Sequence, residues 1–130
     1  MKNLQLIPEL LVEDMPRTLQ FYHKILEFKS EITFPKKNPV FAKLGRDDTH
    51  IMFYERSAFE KEVPGLKKQK MGGSFLIFIR AEDIKSFYEQ IQKKVNIIQP
   101  FHKTDYGTLE FTIEDCNEYL ITFAESVLIK

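Results

Sequence analysis

The apolar positions of the first half predict a strand, a helix and three further strands. Residues 5–12 form an apolar run typical of a strand, and Asp14 follows as a candidate N-cap. Apolar side chains then recur at helical spacing, at Met15, Leu19, Tyr22 and Leu26. Short apolar runs bounded by turn residues come next, over 28–34, 40–44 and 49–54. This half is predicted to fold as βαβββ, with its last two strands in a hairpin.

The second half repeats that pattern. Phe21-Tyr22-x-x-Ile25 recurs as Phe87-Tyr88-x-x-Ile91, an offset of 66 positions and so about half the chain. The predicted elements are a strand over 74–80, a helix capped by Glu82-Asp83, and strands over 95–98, 106–113 and 118–125. The sequence therefore predicts an α+β fold made of two βαβββ modules in tandem.

The length of 130 residues and the 43% hydrophobic content suit one domain with one core. We expect a single domain made of a first module over 1–56, a linker over 57–73 and a second module over 74–130. The linker is rich in Lys and contains Pro64-Gly65 and Gly72-Gly73. Two interpretations stay open for it: a solvated connection, or a lid over a binding site.

Charge and composition narrow the possible partners. The 19 basic and 19 acidic side chains sum to zero, which argues against nucleic acid and anionic membranes as partners. No run approaches the roughly 20 apolar residues of a membrane span, and charge comes early at the N-terminus, so we expect a cytoplasmic protein. The lone Cys116 excludes an internal disulfide. With 12 Phe and 5 Tyr, some rings are expected to line a cavity.

A motif near the N-terminus resembles a known family. It reads Pro8-x-Leu10-x-Val12-x-Asp14-Met15-x-x-Thr18-Leu19-x-Phe21-Tyr22-x-x-Ile25-Leu26-x-Phe28. Together with the paired modules it resembles the vicinal oxygen chelate superfamily, which includes glyoxalases, extradiol dioxygenases, fosfomycin-resistance enzymes and bleomycin-resistance proteins. Glu27 stands where the family usually has Gly, and Asp115-Cys116-Asn117-Glu118 replaces its usual Asp-Pro-Asp-Gly turn. The resemblance covers almost the whole chain and implies sheets curled around a cavity, in a homodimer.

The metal enzymes of that superfamily place four ligands, mostly His or Glu, on the first and last strands of the two modules. The matching positions here are Ile7, Met52, Ser74 and Thr122. None of them offers an imidazole or a carboxylate, so we predict neither a metal nor another cofactor. A displaced ligand set of Glu9, His50 and Glu110 is the alternative, although a move of two residues along a strand shifts a ligand by about 7 Å.

We predict a ligand site formed by side chains on the cavity-facing strand faces: Glu9, Phe34, Phe41, His50, Met52, Tyr54, Tyr106 and Glu110. Rings with one or two carboxylates suit a small aromatic or cationic organic ligand. Each carboxylate has a structural alternative, which is pairing with a Lys or Arg of the chain. His23, and His102 in a loop over 99–105, are expected to face solvent, and Cys116 is not expected to be a nucleophile.

The leading hypothesis is a protein similar to bleomycin-resistance proteins, which sequesters its ligand without a metal and has no catalytic residue. Three alternatives remain open. The first is a metal-dependent lyase or dioxygenase with displaced ligands, and the second is a metal-independent isomerase that uses Glu9 as its base. The third is a protein whose cavity is closed by Phe packing, with only a dimerisation or regulatory role.

Overall fold

The computed structural model describes residues 1–62, 70, 72–73 and 75–127. Its elements in chain order are β1 (Glu9–Val12), α1 (Met15–Lys24), β2 (Lys29–Phe34), β3 (Phe41–Arg46), β4 (Thr49–Glu55), α2 (Arg56–Glu62), β5 (Leu76–Arg80), α3 (Ile84–Ile91), β6 (Asn96–Lys103), β7 (Thr108–Glu114) and β8 (Leu120–Ser126). They fall into two units, Met1–Gln69 and Lys70–Lys130. Each unit contains the βαβββ order, so the predicted α+β fold class is confirmed.

In the first unit, one helix covers one face of a four-stranded sheet. The strand order is β1-β4-β3-β2, with β1 parallel to β4 and the other pairs antiparallel. Burial alternates along β3 and β4, because successive side chains of a strand point to opposite faces. The buried set lies against α1, where the ring of Tyr22 packs on Phe53 with centroids 4.7 Å apart.

Helix α1 begins where the sequence predicts. The carboxylate of Asp14 accepts a hydrogen bond from the backbone N–H of Arg17 at 3.0 Å, and Pro16 lies in the first turn, where it removes no intrahelical bond. The hydroxyl of Thr18 also donates to the Asp14 carbonyl at 2.8 Å. After the helix, Glu27 has a φ of 60°, a left-handed conformation that favours glycine.

The second unit repeats the arrangement with the order β5-β8-β7-β6, and β5 is parallel to β8. Helix α3 packs on this sheet through aromatic contacts. The ring of Phe87 lies 5.3 Å from that of Phe123, which stacks on Phe111 at 5.2 Å. Together with the buried Ile113 and Ile121, these rings form the core of the unit.

The predicted N-cap of α3 is wrong, because a different side chain bonds to the first turn of the helix. Asp83 precedes the helix but has a φ of 58°, and its side chain makes no capping bond. The carboxylate of Glu125, at the end of β8, instead accepts a hydrogen bond from the N–H of Ile84 at 3.2 Å. The helix is therefore capped by a residue that is distant in sequence.

Several predicted boundaries are also wrong. Strand β1 begins at Glu9, not at residue 5, since Leu4 and Leu6 are 72% and 90% exposed and unpaired in the sheet. Residues predicted as linker contain α2. Strand β6 runs to Lys103 and so includes His102, because an edge strand tolerates Pro100.

One further predicted boundary is wrong, and two predicted features lie outside the described part of the chain. Strand β7 begins only at Thr108, so Tyr106 lies in the preceding turn, where Gly107 has a φ of 90°. Ser74 and the central part of the predicted linker lie outside the described residues. Within the described part of the chain, no helix is long and apolar enough to cross a membrane.

Candidate functional site

Each sheet has one face on its helix and an opposite face that we call the open face. On the open face of the first unit, side chains form rows across the strands. Met52 lies between Glu9 of β1 and Lys43 of β3, and Tyr54 lies beside Phe41. On β2, Phe34 pairs in register with Phe41 and so extends the same row. Six of the eight predicted ligand-binding residues thus share this face: Glu9, Phe34, Phe41, His50, Met52 and Tyr54.

Aromatic rings group at one end of this face. The rings of Phe41 and Tyr54 meet edge to face with centroids 5.8 Å apart, and Phe59 of α2 lies 4.8 Å from Tyr54. Phe59 was not among the predicted site residues, because no helix was expected at α2. The sequence did contain one indication of this helix. Arg56 and Glu60 are four residues apart, a spacing typical of helical ion pairs, and their side chains pair at 2.9 Å.

At the other end of the same face, His50 is held by a carboxylate. Its Nδ1 lies 3.0 Å from Oε1 of Glu31, and Nζ of Lys43 lies 3.9 Å from the same oxygen. Glu31 reaches across because the pairing of β2 with β3 is irregular between Ser30 and Ile32. Sequence reasoning missed Glu31, since a bulge that turns a side chain to the other face leaves no clear signal in the pattern.

The remaining two predicted residues, Tyr106 and Glu110, meet in the second unit. Glu110 is only 7% exposed. Its Oε2 accepts hydrogen bonds from the Tyr106 hydroxyl at 3.2 Å and from the Thr108 hydroxyl at 2.8 Å. Among the described residues no basic side chain forms an ion pair with Glu110, although His102 is its neighbour in register.

The centre of the second open face carries two hydroxyls. Thr112 and Thr122 are both buried, and their Oγ1 atoms lie 2.7 Å apart across β7 and β8. Thr122 is one of the positions that matches a metal ligand in the superfamily. Its hydroxyl is engaged by another hydroxyl, a neutral donor set that suits a divalent metal poorly.

The displaced metal set is not assembled either. Glu9 pairs in register with Met52, which puts His50 about 8 Å away on the diagonal of the sheet. His50 itself is already bonded to Glu31. Within residues 1–62 and 70–127, so far as they are described, no group of three or more His, Cys, Asp or Glu side chains is placed to hold a metal ion. These side chains do not fit the metal centre of the superfamily's enzymes.

Known proteins with the same fold include both enzymes and proteins of unknown function. A protein of unknown function from Agrobacterium tumefaciens str. C58 is 21% identical, with a TM-score of 0.80 and 97% of each chain covered. A glyoxalase/bleomycin resistance protein/dioxygenase from Nocardioides is 12% identical, with a TM-score of 0.79 and coverage of 98% of this chain and 85% of that one. A lactoylglutathione lyase from Agrobacterium tumefaciens is 10% identical, with a TM-score of 0.74 and coverage of 96% and 95%.

No curated protein matches the chain by sequence. At identities this low, the solved structures are evidence for the fold alone. The family model is the stronger finding, because it matches residues 6–123 and so includes both modules. The opening motif lies within that match, and so do all the strands except the last three residues of β8. The chain belongs to the Glyoxalase/Bleomycin resistance protein/Dioxygenase superfamily.

Proposed function

We propose that this protein binds a small, partly aromatic organic cation without using a metal ion, and retains it rather than converting it. The observation that carries the proposal is the environment of Glu110. This carboxylate is buried, accepts hydrogen bonds from two hydroxyls, and has no ion pair with a described residue. Burying a carboxylate costs free energy unless a cation or enough donors compensate, so the site favours a ligand that brings a positive charge.

Tyr106 gives this position an aromatic component. Its hydroxyl binds Glu110, and the residue is 69% exposed, so its ring is open to a ligand. A cation held by the carboxylate can also lie over the face of a neighbouring ring, which adds about 0.5–2 kcal/mol depending on desolvation. The combination of carboxylate, hydroxyls and ring suits an aryl or alkyl ammonium group better than a neutral molecule.

The biological role that we propose is sequestration of a toxic small molecule. The superfamily's name includes bleomycin resistance proteins, and capture of an antibiotic needs affinity without any reacting group. The proposal retains two expectations from the sequence, a homodimer and a cytoplasmic location.

An enzyme is the competing candidate. Glu9 lies on the open face of the first unit beside Met52, a position from which a carboxylate can act as the base of a metal-independent isomerase. A metal-dependent lyase or dioxygenase is the other form of this candidate. Elemental analysis of protein purified without chelator separates that form from the leading one, which predicts far less than one equivalent of bound transition metal.

The binding proposal is tested by thermal shift with arylalkyl amines and their matched alcohols. At 100 times its dissociation constant, a ligand adds about 2.7 kcal/mol to the free energy of unfolding. We expect amines to stabilise the protein more than alcohols do, and Glu110→Gln to weaken amine binding by about tenfold or more, because the amide keeps the hydrogen bonds but loses the charge.

Glu89→Gln is the matched control, since Glu89 is exposed on α3 and the substitution removes the same charge elsewhere. Equal stabilisation by amines and alcohols, or unchanged amine affinity in Glu110→Gln, would contradict the proposal.

A further inference from the structure

Side chains from neighbouring strands form a contact between Glu31 and His50, and this contact has no part in the proposed function. The His50 side chain is 21% exposed and that of Glu31 is 38% exposed, so the pair is partly withdrawn from water. The bulge in β2 directs the Glu31 carboxylate over β3, to the imidazole on β4. Three neighbouring strands therefore cooperate to make one hydrogen bond.

Gly45 leaves the space for this contact. It lies on β3 directly opposite His50 in register and is buried. A Cβ atom at this position would lie 2.5 Å from Oε2 of Glu31 and 3.1 Å from Nδ1 of His50. Any residue with a Cβ atom here would displace the carboxylate from the imidazole, so the pair depends on a glycine near the end of β3.

The geometry also determines which nitrogen of the neutral imidazole carries the proton. An ionised carboxylate only accepts hydrogen bonds, so Nδ1 must be the donor to Glu31 and Nε2 must present its lone pair. His50 makes no other hydrogen bond to a described residue. No buried side-chain nitrogen or oxygen in the described part of the chain lacks a partner, so Nε2 is not fully buried.

The surroundings of His50 define the group that Nε2 can accept. Lys43 contacts the same oxygen of Glu31, so the charge of this carboxylate is already matched within the cluster and offers little attraction to a ligand ammonium. A hydroxyl is favoured instead, because it can donate to the lone pair of Nε2 without bringing a charge of its own. Along the same face, Met52 and then the rings of Phe41 and Tyr54 follow at intervals of about 7 Å.

We propose that Glu31 and His50 form a fixed hydrogen-bond acceptor for the hydroxyl of an aromatic ligand whose apolar body lies along the open face of the first unit. Glu31 acts as the positioning residue and His50 as the residue that touches the ligand. This subsite differs from the cation site at Glu110 in the charge of the group it accepts.

The first experiment measures the His50 tautomer directly by long-range ¹⁵N–¹H NMR at mildly alkaline pH. We expect a neutral ring with the proton on Nδ1, and loss of this preference in Gly45→Ala, whose methyl group moves Glu31 away. The fold should survive, because alanine is favoured over glycine in a strand where no positive φ is required. A proton on Nε2 in the wild type, or an unchanged ring in Gly45→Ala, would overturn the proposal.

The second experiment compares a naphthol with its methyl ether in titrations of the wild type and His50→Phe. The wild type should bind the naphthol about tenfold more tightly, equivalent to about 1.4 kcal/mol. The phenyl ring of His50→Phe keeps an aromatic ring at this position but has no hydrogen-bond acceptor, so this variant should bind both compounds equally. Equal affinities in the wild type, or a preference that persists in His50→Phe, would disprove the acceptor role.

Neither probe carries an amine, which keeps this test separate from the proposed function. Glu110→Gln should leave the naphthol preference intact even where it abolishes amine binding. His23→Phe is the second control, since His23 contacts Ser30 on the other side of the same strand pair and not Glu31.

Discussion

At the scale of single residues, hydroxyl groups are the hydrogen-bond partners at two places on the open face of the second unit. Thr112 and Thr122 satisfy each other, and Glu110 is satisfied by hydroxyls of Tyr106 and Thr108. A hydroxyl pair that is already made has little to offer a metal ion, whereas a carboxylate bonded only to hydroxyls can still accept the N–H groups of a ligand. We therefore propose different roles for Glu110 and Thr112, although both lie on β7.

The Thr112–Thr122 bond can be measured by a double-mutant cycle with valine, which has nearly the same shape as threonine. Each single substitution should lower the free energy of unfolding by about 1–3 kcal/mol, because it leaves one buried hydroxyl without its partner. The double variant should lose less than the sum of the two singles. Denaturant melts give all three values, and strictly additive losses would show that the hydroxyls do not interact.

Much of the candidate site could be predicted at this scale, because a strand's period of two assigns residues to faces. Glu9, His50, Met52 and Tyr54 do share a face, as their spacing requires. Glu31 could not be found in the same way, since a bulge changes the face of a side chain without changing its neighbours in sequence. Whether the predicted residues bind a ligand stays a prediction, which the variants above test.

At the scale of elements, the two modules cap their equivalent helices, α1 and α3, with different residues. Helix α1 is capped by Asp14 within its own turn, whereas the first N–H of α3 is capped by Glu125 of β8. A local cap can be read from the sequence because its partner lies three residues away. A cap supplied by another element depends on the packing of the helix, so the sequence indicated Asp83 instead.

The two caps should respond differently to substitution. Asp14→Ala should lower the free energy of unfolding by about 1 kcal/mol, as expected for loss of an N-cap side chain. Glu125→Ala should also destabilise the protein, because it removes the acceptor of the Ile84 N–H. Asp83→Asn should have almost no effect, since asparagine tolerates the left-handed backbone and the replaced side chain makes no capping bond. Thermal or denaturant melts give these changes in stability. A large loss of stability in Asp83→Asn would contradict the assignment of the cap.

Element boundaries were predicted less well than element types, and particular residues show why. Pro100 interrupts the apolar pattern and made the sequence look like a loop, but β6 is the edge strand of its sheet, where a missing N–H is tolerated. Helix α2 is short and charged and gives a weak apolar period. The order of strands and of the two long helices was predicted correctly, because their apolar periods are strong.

At the scale of the whole molecule, the internal repeat carried the prediction of the fold. One recurring motif at half the chain length divided the sequence into two modules, and the family match includes both of them. Residues 63–69 have no such repeat partner, and they lie outside the residues that the structure describes. The sequence was therefore most informative where two copies supported each other.

A homodimer is the last prediction, and it concerns the surface of the second unit. Strand β5 is at the edge of its sheet, and Phe78 and Leu76 on it are 53% and 45% exposed in the single chain. An edge strand with exposed large apolar side chains is prone to association unless another surface covers it. We propose that a second copy provides this cover, so light scattering should give twice the chain mass of 15.4 kDa.

Phe78→Lys should shift the mass towards that of one chain, because it puts a charge into the proposed contact. Leu6→Lys is the control, since Leu6 is 90% exposed and lies outside the strands, so the same kind of substitution there should leave the dimer intact. A wild-type mass of one chain at all concentrations would refute the dimer. A dimeric Phe78→Lys variant would instead place the contact away from β5, because a closed two-fold interface buries the same residues in both copies.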